Sequence, residues 1–484
     1  MAKWLMATED VLARLDKEYD EKKKKTEGFY SEKITGTVYY ISSVSGCDEN
    51  DGRTPERAWR SCAMLASSEL TCGDTVLFEC GSVFRERVKL TSGVTYSSYG
   101  KGEKPLFYGS IDASAKDAWE KVGEDLYRYK NVIDMHNDIG NIVFDSGKAW
   151  GIKIQKCDDC DMSLALKRVT NGIDFFEEIA SVPFERGEQL PRVDLAYFHS
   201  DDGYIYVCSK NGAPNERFSS VELSQSITVF YLYGYTENVT FSNLHVVCAA
   251  CFGIRTSGCK NITVRNCEFE FIGGAIQFGY ECPWRNYRTR YGNAIENWGS
   301  CDGMTVENCY FNQIYDAGIT TQSNDKAARM ENLRYHGNVF NCNQYAFELW
   351  GGGPESYFGN VSIKKNIGKN TGGGFSTQRP DKGHESFFNS KGRHKISNGV
   401  ITDNVSIGSV GCIMRSNRLC SDEYHEGYFF DNNVYVYETG KCFALISKDY
   451  PSFSGDIAPA EYSEETVKLL ENEAFEQNGS FYYF

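Results

Sequence analysis

Three acidic residues near the middle of the chain combine residue type and spacing in a way that could do chemistry. Glu296 lies in the phrase AIENWG (294–299), Glu348 lies in AFELWG (346–351), and Asp316 lies in the IYDAG segment between them. Trp298 and Trp350 each follow a glutamate by two positions. Two carboxylates, one donating a proton and the other activating water or attacking directly, are the groups that cleave glycosidic bonds. We therefore take Glu296, Glu348 and Asp316 as candidate catalytic residues.

The two glutamate phrases are copies of a motif that occurs eight times between residues 251 and 447. The copies begin at residues 253, 275, 294, 318, 346, 374, 412 and 442, so the intervals between them run from 19 to 38 residues. The second position is apolar in every copy: Ile254, Ile276, Ile295, Ile319, Phe347, Phe375, Ile413 and Phe443. A second phrase, with alternating apolar and polar residues and an Asn near its end, falls between most copies, as in ITVRNCEF (262–269).

Short strands repeated at this spacing predict a solenoid of stacked coils with one apolar column inside. The fold class is therefore all-β, a parallel β-helix of about ten coils. A leucine-rich solenoid is the alternative, but it needs a leucine ladder at constant spacing. Residues 7–27 have the pattern of an amphipathic helix that caps or flanks the coils, and a second helix is predicted from about Ser463.

Side chains alternate across a strand, so the third and fifth positions of each copy should point away from the core. The third positions bring Arg255, Glu296, Thr320 and Glu348 into one column, and the fifth positions bring in the two tryptophans. If Thr320 separates the glutamates, their backbones lie about 9.6 Å apart, within reach of an inverting arrangement with room for a water. Pairing either glutamate with Asp316 would shorten the distance and favour retention of configuration.

The remaining candidates would bind a substrate rather than react with it. Flat indole faces suit the C–H groups of sugar rings, and planar amide or guanidinium groups suit hydroxyls. The candidate substrate-binding residues are Trp298, Trp350, Gln322, Gln378, Arg255, Arg290 and His384. The loop arginines could instead bind a uronate carboxylate, which would favour a polysaccharide lyase or a uronate epimerase. That alternative is disfavoured, because the sequence contains no compact calcium-loop pattern and the outer columns contain no Lys.

The segment from Val38 resembles the N-terminal region of right-handed parallel β-helix carbohydrate-active enzymes, of the pectate-lyase-like type. The resemblance rests on a YYIS strand, a DENDG turn, a GDTVLF strand and an SGVTYSSYG strand, and it extends to RYGNAIENWGSCDGMTVENCYFNQIYDAGITTQ (290–322). It implies a right-handed β-helix with a glycoside hydrolase as the first hypothesis. A polysaccharide lyase or epimerase and a non-catalytic, tailspike-like carbohydrate-binding protein stay open, since this architecture hosts all of them.

Composition limits the partners. The net charge of −15 disfavours nucleic acid and anionic membranes, which reward basic patches, and we expect an oligosaccharide as the substrate. No cofactor or metal is predicted, because the eighteen cysteines fall largely in strand phrases where reduced thiols act as small apolar fillers. Because the N-terminus shows no secretory pattern, we expect a cytoplasmic protein, and assembly into a homo-oligomer is left open.

The same patterns divide the chain into four segments. Residues 1–37 form an N-terminal helix or flank, 38–234 form a cap and the first coils, 235–450 form the β-helix core with a loop-walled cleft, and 451–484 form a C-terminal helical cap.

Overall fold

The computed structural model describes residues 4–484 except 155–192, 201, 233, 278–288, 380–384, 393, 410–413, 417–426, 439–443, 447–475 and 477, and gives only the backbone of 414–416 and 444–446. These residues form a parallel β-helix with three long sheets, as the sequence predicts. After Val38–Ile41, successive coils contribute strands in the order sheet 1, sheet 2, sheet 3.

Ten strands follow one another along sheet 1, which agrees with about ten coils. They are Val38–Ile41, Thr75–Glu79, Thr95–Tyr99, Thr240–Ser242, Cys259–Arg265, Cys301–Glu307, Arg329–His336, Tyr357–Lys364, Lys395–Thr402 and Tyr428–Asp431, with Thr236–Glu237 at the side. Sheet 2 contains Val83–Phe84, Leu106–Tyr108, His245–Val247, Glu268–Ile272, Tyr310–Ile314, Val339–Asn341, Ile367–Thr371, Val405–Ser409, Val434–Tyr437, Ser480–Tyr483 and Trp4–Met6. Sheet 3 contains Val88–Lys89, Thr228–Tyr231, Phe252–Thr256, Ile295–Trp298, Ala317–Ser323, Tyr345–Gly351, Ser386–Gly392, Met414–Ser416 and Ala444–Ile446.

Stacked identical positions fill the interior. Phe269, Phe311 and Phe340 lie above one another with ring centroids 5.2 and 4.9 Å apart. In sheet 3 the strand pairings place Ile254 on Ile295, Ile295 on Ile319 and Ile319 on Phe347, so this part of the predicted apolar column is confirmed. The sequence also predicts that Cys259 and Cys301 stack, and their Sγ atoms lie 3.1 Å apart in the buried core.

Three copies of the motif are not where the sequence places them. Ile276 pairs antiparallel with Arg290 in a separate two-stranded sheet, because a 19-residue interval is too short for a full coil. Phe375 lies in a 3-10 helix, Gly374–Gln378. The position opposite Phe347, where the sequence predicts Phe375, is occupied by Phe388. Beyond it the register slips by one, so that Met414 lies opposite Phe388, and Ile413 lies outside the described residues.

The corner between sheets 1 and 2 is built on a column of buried asparagines. Each side-chain amide of Asn338, Asn366 and Asn404 donates to the Oδ1 of the next, over 3.1, 2.8 and 2.9 Å, ending at Asn433. The backbone N–H of each donates to the same oxygen. The carboxylate of Glu476 closes the column at Asn433. Amide groups buried in this way tolerate no loss of a partner.

The described residues between 110 and 225 form an insert between successive coils rather than further coils. Its strands are Ser110–Asp112, Trp119–Gly123, Leu126–Tyr129, Ile139–Phe144, Ala149–Trp150, Ile152–Lys153, Ala196–His199, Ile205–Cys208 and Val221–Gln225. They form two sheets, mostly antiparallel, around a core of their own. The coils continue across the insert, since Val88–Lys89 pairs directly with Thr228–Tyr231.

The N-terminal helix is Glu9–Thr26, close to the predicted 7–27, and it begins where the Thr8 side chain accepts from the backbone of Val11. Leu15 and Tyr19 pack on sheet 2, so the helix flanks the coils rather than capping them. The other described helices are Met64–Ser67, Pro214–Arg217 and the 3-10 turns Pro55–Arg57, Met135–Asn137 and Asp145–Gly147. None of the described helices is both long and apolar enough to cross a membrane. The helix predicted from Ser463 falls outside the described residues.

Candidate active site

The carboxylate column is present on sheet 3. Strand pairing places Glu296 opposite Thr320 and Thr320 opposite Glu348, as the sequence predicts. Arg255 precedes this column and Asn389 follows it, each on the next strand. Both glutamates are nevertheless buried, with 3% and 4% of their surface exposed. The site therefore holds two carboxylates, two strand spacings apart with a threonine between them, out of bulk water.

Glu296 has mostly neutral neighbours. The Asn293 amide donates to its Oε2 over 2.7 Å, and the Gln322 amide reaches the same oxygen at 3.4 Å. The Arg255 Nε lies 3.5 Å from Oε1. Burial raises the pKa of Glu296 from 4.5 to about 7, and the charge of Asp316 adds to the rise, while Arg255 and the amides oppose it. Glu296 therefore keeps its proton into the neutral range.

Glu348 is held by a cation. The Lys391 Nζ lies 2.9 Å from its Oε1, and the Asn389 amide donates to the same oxygen over 3.1 Å. Both donors stabilise a negative charge. The two glutamates of the column consequently differ in environment, although they occupy the same position in their copies of the motif.

Asp316 lies immediately before the strand Ala317–Ser323, and its charge interacts with both glutamates. Burial raises the pKa of its carboxyl, and the charge of Glu348 raises it further, whereas the Arg379 guanidinium opposes the rise. Arg379 Nη1 lies 2.7 Å from Asp316 Oδ1 in an ion pair that is almost wholly buried. The predicted proximity of Asp316 to both glutamates is consistent with these electrostatic interactions.

Two tryptophans lie along the edge of the column. Trp298 and Trp350 flank Gln322 in the register, and their rings lean together with centroids 6.1 Å apart and planes at 38°. Both are half-buried. They present one continuous aromatic wall beside the carboxylates rather than two separate platforms.

Two buried polar side chains in the column have spare hydrogen-bonding capacity. Thr320 is fully buried, and its hydroxyl has no hydrogen-bond partner among the described residues. The same holds for the Oδ1 of Asn389. Buried polar atoms are rarely left unpaired, because each costs about 1–3 kcal/mol. Their position between and beside the glutamates suits hydroxyl groups of a bound ligand or water.

Two predicted binding residues have other contacts. The Gln378 amide bonds the main chain of Gly151 and Lys153 in the insert, and the residue is not part of the sheet 3 column. Arg290 is buried and donates to the carbonyls of Gly274 and Gly140, since it lies in the short antiparallel pair and not in an open loop. His384 lies outside the described residues.

Sequence reasoning missed Lys391, Asn389 and Asn293. Lys391 and Asn389 belong to the strand Ser386–Gly392, whose FFNSKG phrase alternates in phase with the motif but lies 13 residues after the copy that the sequence favoured. The expectation that the outer columns contain no Lys is therefore wrong. The alternation of FFNSKG was the available signal. Asn293 precedes its strand and carries no periodic signal.

Among the described residues, one group of potential metal ligands lies elsewhere, on sheet 2. His245, Glu268 and Glu270 bring ligand atoms within 4.8 Å of one another. The Lys104 ammonium already lies 2.7 Å from Glu268, and His245 pairs with Glu270 at 3.1 Å. The Lys104 ammonium thus already places a positive charge in this group. The sequence also contains two Cys-x-x-Cys pairs, which can ligate zinc in other proteins. The pair 157–160 lies outside the described residues, and Cys248 and Cys251 are both buried.

Comparison with known proteins gives limited matches. No protein-family model matches the chain. The lacto-N-biosidase of Bifidobacterium longum subsp. longum is 36% identical over 80 residues, which are 14% of this chain and only 5% of that protein. XylC, solved in complex with xylose, is similar over 92% of this chain and 83% of its own, at 14% identity and a TM-score of 0.43. The GH136 lacto-N-biosidase from Eubacterium ramulus is similar over 99% of this chain and 72% of its own, at 11% identity and a TM-score of 0.38.

Proposed function

We propose that this protein is a glycoside hydrolase that cleaves glycosidic bonds in oligosaccharides. The observation that carries the proposal is the buried carboxylate column, in which Glu296 and Glu348 occupy equivalent positions in different electrostatic environments. Two carboxyl groups whose environments differ in this way can divide acid and base roles. The short sequence likeness to a lacto-N-biosidase supports the same reaction class.

Glu296 is the proposed general acid, because burial keeps it protonated near neutral pH. Its proton would pass to the glycosidic oxygen as the bond to the leaving group breaks. Glu348, paired with Lys391, is the proposed base that takes a proton from the attacking water. Asp316 would raise the proton affinity of Glu296 through its charge, and it remains the third catalytic candidate.

The register favours an inverting reaction. Glu296 and Glu348 are two strand spacings apart, about 9.6 Å between backbones, which is close to the separation of about 6.5–9.5 Å between carboxyl groups that accommodates a water. Attack by Asp316 or Glu348 on the sugar itself would give retention instead. Proton NMR of the first anomer formed distinguishes these two outcomes.

The aromatic wall and the unpaired hydroxyl of Thr320 support a sugar substrate, in which apolar ring faces alternate with hydroxyl groups. We propose neutral oligosaccharides as the first class to test and the cytoplasm as the place of action. A lyase is the second candidate, because Lys391 and Arg255 place cations beside the carboxylates where a uronate could bind.

The test is an oligosaccharide screen that follows two products at once. Hydrolysis releases new reducing ends without ultraviolet absorbance, whereas a lyase also forms an unsaturated uronate that absorbs. We expect the wild-type protein to release reducing ends without any ultraviolet absorbance. The Glu348→Gln variant should release none. Absorbance that rises with the reducing ends would assign the protein to the lyases, and binding without either product would assign it to the carbohydrate-binding proteins.

A further inference from the structure

The insert is connected to the site through Gln378. The side-chain amide of this residue makes the hydrogen bonds to the insert's main chain that a neighbouring strand would make. Its Nε2 donates to the Gly151 carbonyl over 2.8 Å, and its Oε1 accepts from the Lys153 backbone over 2.9 Å. Gly151 directly precedes the strand Ile152–Lys153, and Lys153 ends it; this strand is at the edge of the insert's five-stranded sheet. The Gln378 amide thus pairs main-chain groups that a sheet edge would otherwise leave open.

The insert strand is itself anchored firmly. The Lys153 ammonium is buried and bonds both oxygens of Asp138. Asp138 also accepts the backbone N–H of Ile276 over 2.7 Å, which ties the insert to the coil that precedes the site. A buried pair of this kind is costly to break from one side. Gln378 is therefore bonded to a fixed point.

The turn that carries Gln378 is also fixed from the coil side. Phe375 is fully buried beside Phe271 and Tyr315, and its backbone N–H donates to the Gln313 Oε1 over 2.9 Å. Gly374 adopts a positive φ of 64°, and a Cβ there would lie 1.9 Å from the same oxygen. The turn thus has one defined conformation, held by the coils at its start and by the insert at its end.

Arg379 follows this turn directly and pairs with Asp316. We propose that Gln378 is a positioning residue, which fixes Arg379 on Asp316 by clamping the turn to the insert, so that the insert sets the charge balance of the catalytic column. The inference rests on the proposed hydrolase function. It differs from the role that the sequence suggested for Gln378, which was direct contact with the substrate.

The expected consequence is a change in the pH profile, which a merely structural residue would not produce. When Arg379 moves away, Asp316 keeps its proton to higher pH, and the negative charge that helps Glu296 to hold its own proton is lost. The descending limb of the pH–rate profile should then shift to lower pH. Asp316→Asn should shift it in the same direction.

The decisive experiment is a double-mutant cycle with Gln378→Met and Arg379→Met. Methionine keeps the volume of Gln378 without its hydrogen bonds. We expect each single variant to lower kcat about tenfold or more, and the double variant to be no slower than Arg379→Met, because Gln378 acts through Arg379. Additive losses, or a lower Tm with an unchanged pH profile, would overturn the inference.

The matched control is Asn215→Leu, which removes an amide that bonds two insert carbonyls, those of Ala115 and Lys116, without contacting the turn. It should leave kcat and the pH profile unchanged. Amide hydrogen exchange tests the contact between the turn and the insert without any substrate. Gln378→Met should speed the exchange of backbone amides in 374–379 and 151–153. Unchanged exchange would refute the clamp whatever the activity. Faster exchange in a protein that hydrolyses no glycoside would leave the clamp standing and remove the proposed function.

Discussion

Replacing Glu296 by Gln is expected to stabilise the protein increasingly as the pH rises from 5 to 8. The folded protein holds the Glu296 proton up to a pKa of about 7, whereas the unfolded chain releases it near 4.5. Between these values the folded state binds more protons than the unfolded state, so stability falls as the pH rises. Gln cannot titrate, and the variant therefore avoids this loss.

The size of the effect follows from the same two values. The interval from 4.5 to about 7, at about 1.4 kcal/mol for each tenfold change in proton affinity, corresponds to about 3 kcal/mol above pH 7. At pH 5 less than about 1 kcal/mol of this penalty has developed. For a chain of 484 residues the unfolding entropy is about 1 kcal/mol per kelvin, so the full effect corresponds to about 3 °C in Tm.

The assay compares Tm of wild type and Glu296→Gln at pH 5, 6, 7 and 8. The Tm difference between the two proteins at any one pH also includes the effect of the changed hydrogen bond to Asn293. The increase of this Tm difference with pH therefore isolates the titration of Glu296. Glu355→Gln is the matched control, since Glu355 lies on the surface in an exposed pair with Lys395. A Tm difference that stays constant between pH 5 and 8, or shrinks, would show that Glu296 is ionised in the folded protein and could not be the acid.

Three further predictions concern the wall, the corner and the cysteines. Trp298→Ala should raise KM about tenfold through the loss of about 1.4 kcal/mol of ring contact, with kcat little changed, and an unchanged KM would remove the wall from the binding site. Asn366→Ala leaves the Tyr335 carbonyl and the Asn338 N–H unpaired and should lower Tm by about 2–4 °C, whereas Asn341→Ala, at a half-buried rung, should lower it by less than about 1 °C. Thiol titration in denaturant should count close to all eighteen cysteines, and a large shortfall or bound zinc would contradict reduced, metal-free thiols.

The sequence predicts the coils well because a parallel β-helix repeats one physical requirement. Each coil must place an apolar residue above the last, so Ile254, Ile295, Ile319 and Phe347 can be aligned from their spacing alone. The same alignment fixes the outward neighbours, which is why the register of Glu296 and Glu348 could be predicted. Asp316 was found because its turn leads into the intervening strand.

The predictions are wrong where a segment has the residue types of the motif but does not occupy the corresponding position in a coil. GFSTQR contains Phe375 at the expected place, yet it forms a helical turn instead of a strand. Two glycines precede this phrase, and the backbone N–H of Phe375 donates to the Gln313 side chain rather than to a neighbouring strand. The antiparallel insert has its own core and no repeat, so periodicity could not indicate that its strands reach back to the site. Burial of Glu296 also depends on this tertiary setting, and strand alternation alone predicts an exposed side chain.

The most direct test of the central claim compares two glycosides of the same sugar, one with a sugar leaving group and one with an activated aryl leaving group. A general acid is needed only when the leaving group is poor, so Glu296→Gln should lose about 10²–10⁴-fold in kcat on the first substrate and much less on the second. Glu348→Gln should lose activity on both, because the base activates water in either case. Equal losses on both substrates in Glu296→Gln, or full activity in either variant, would contradict catalysis by this carboxylate column.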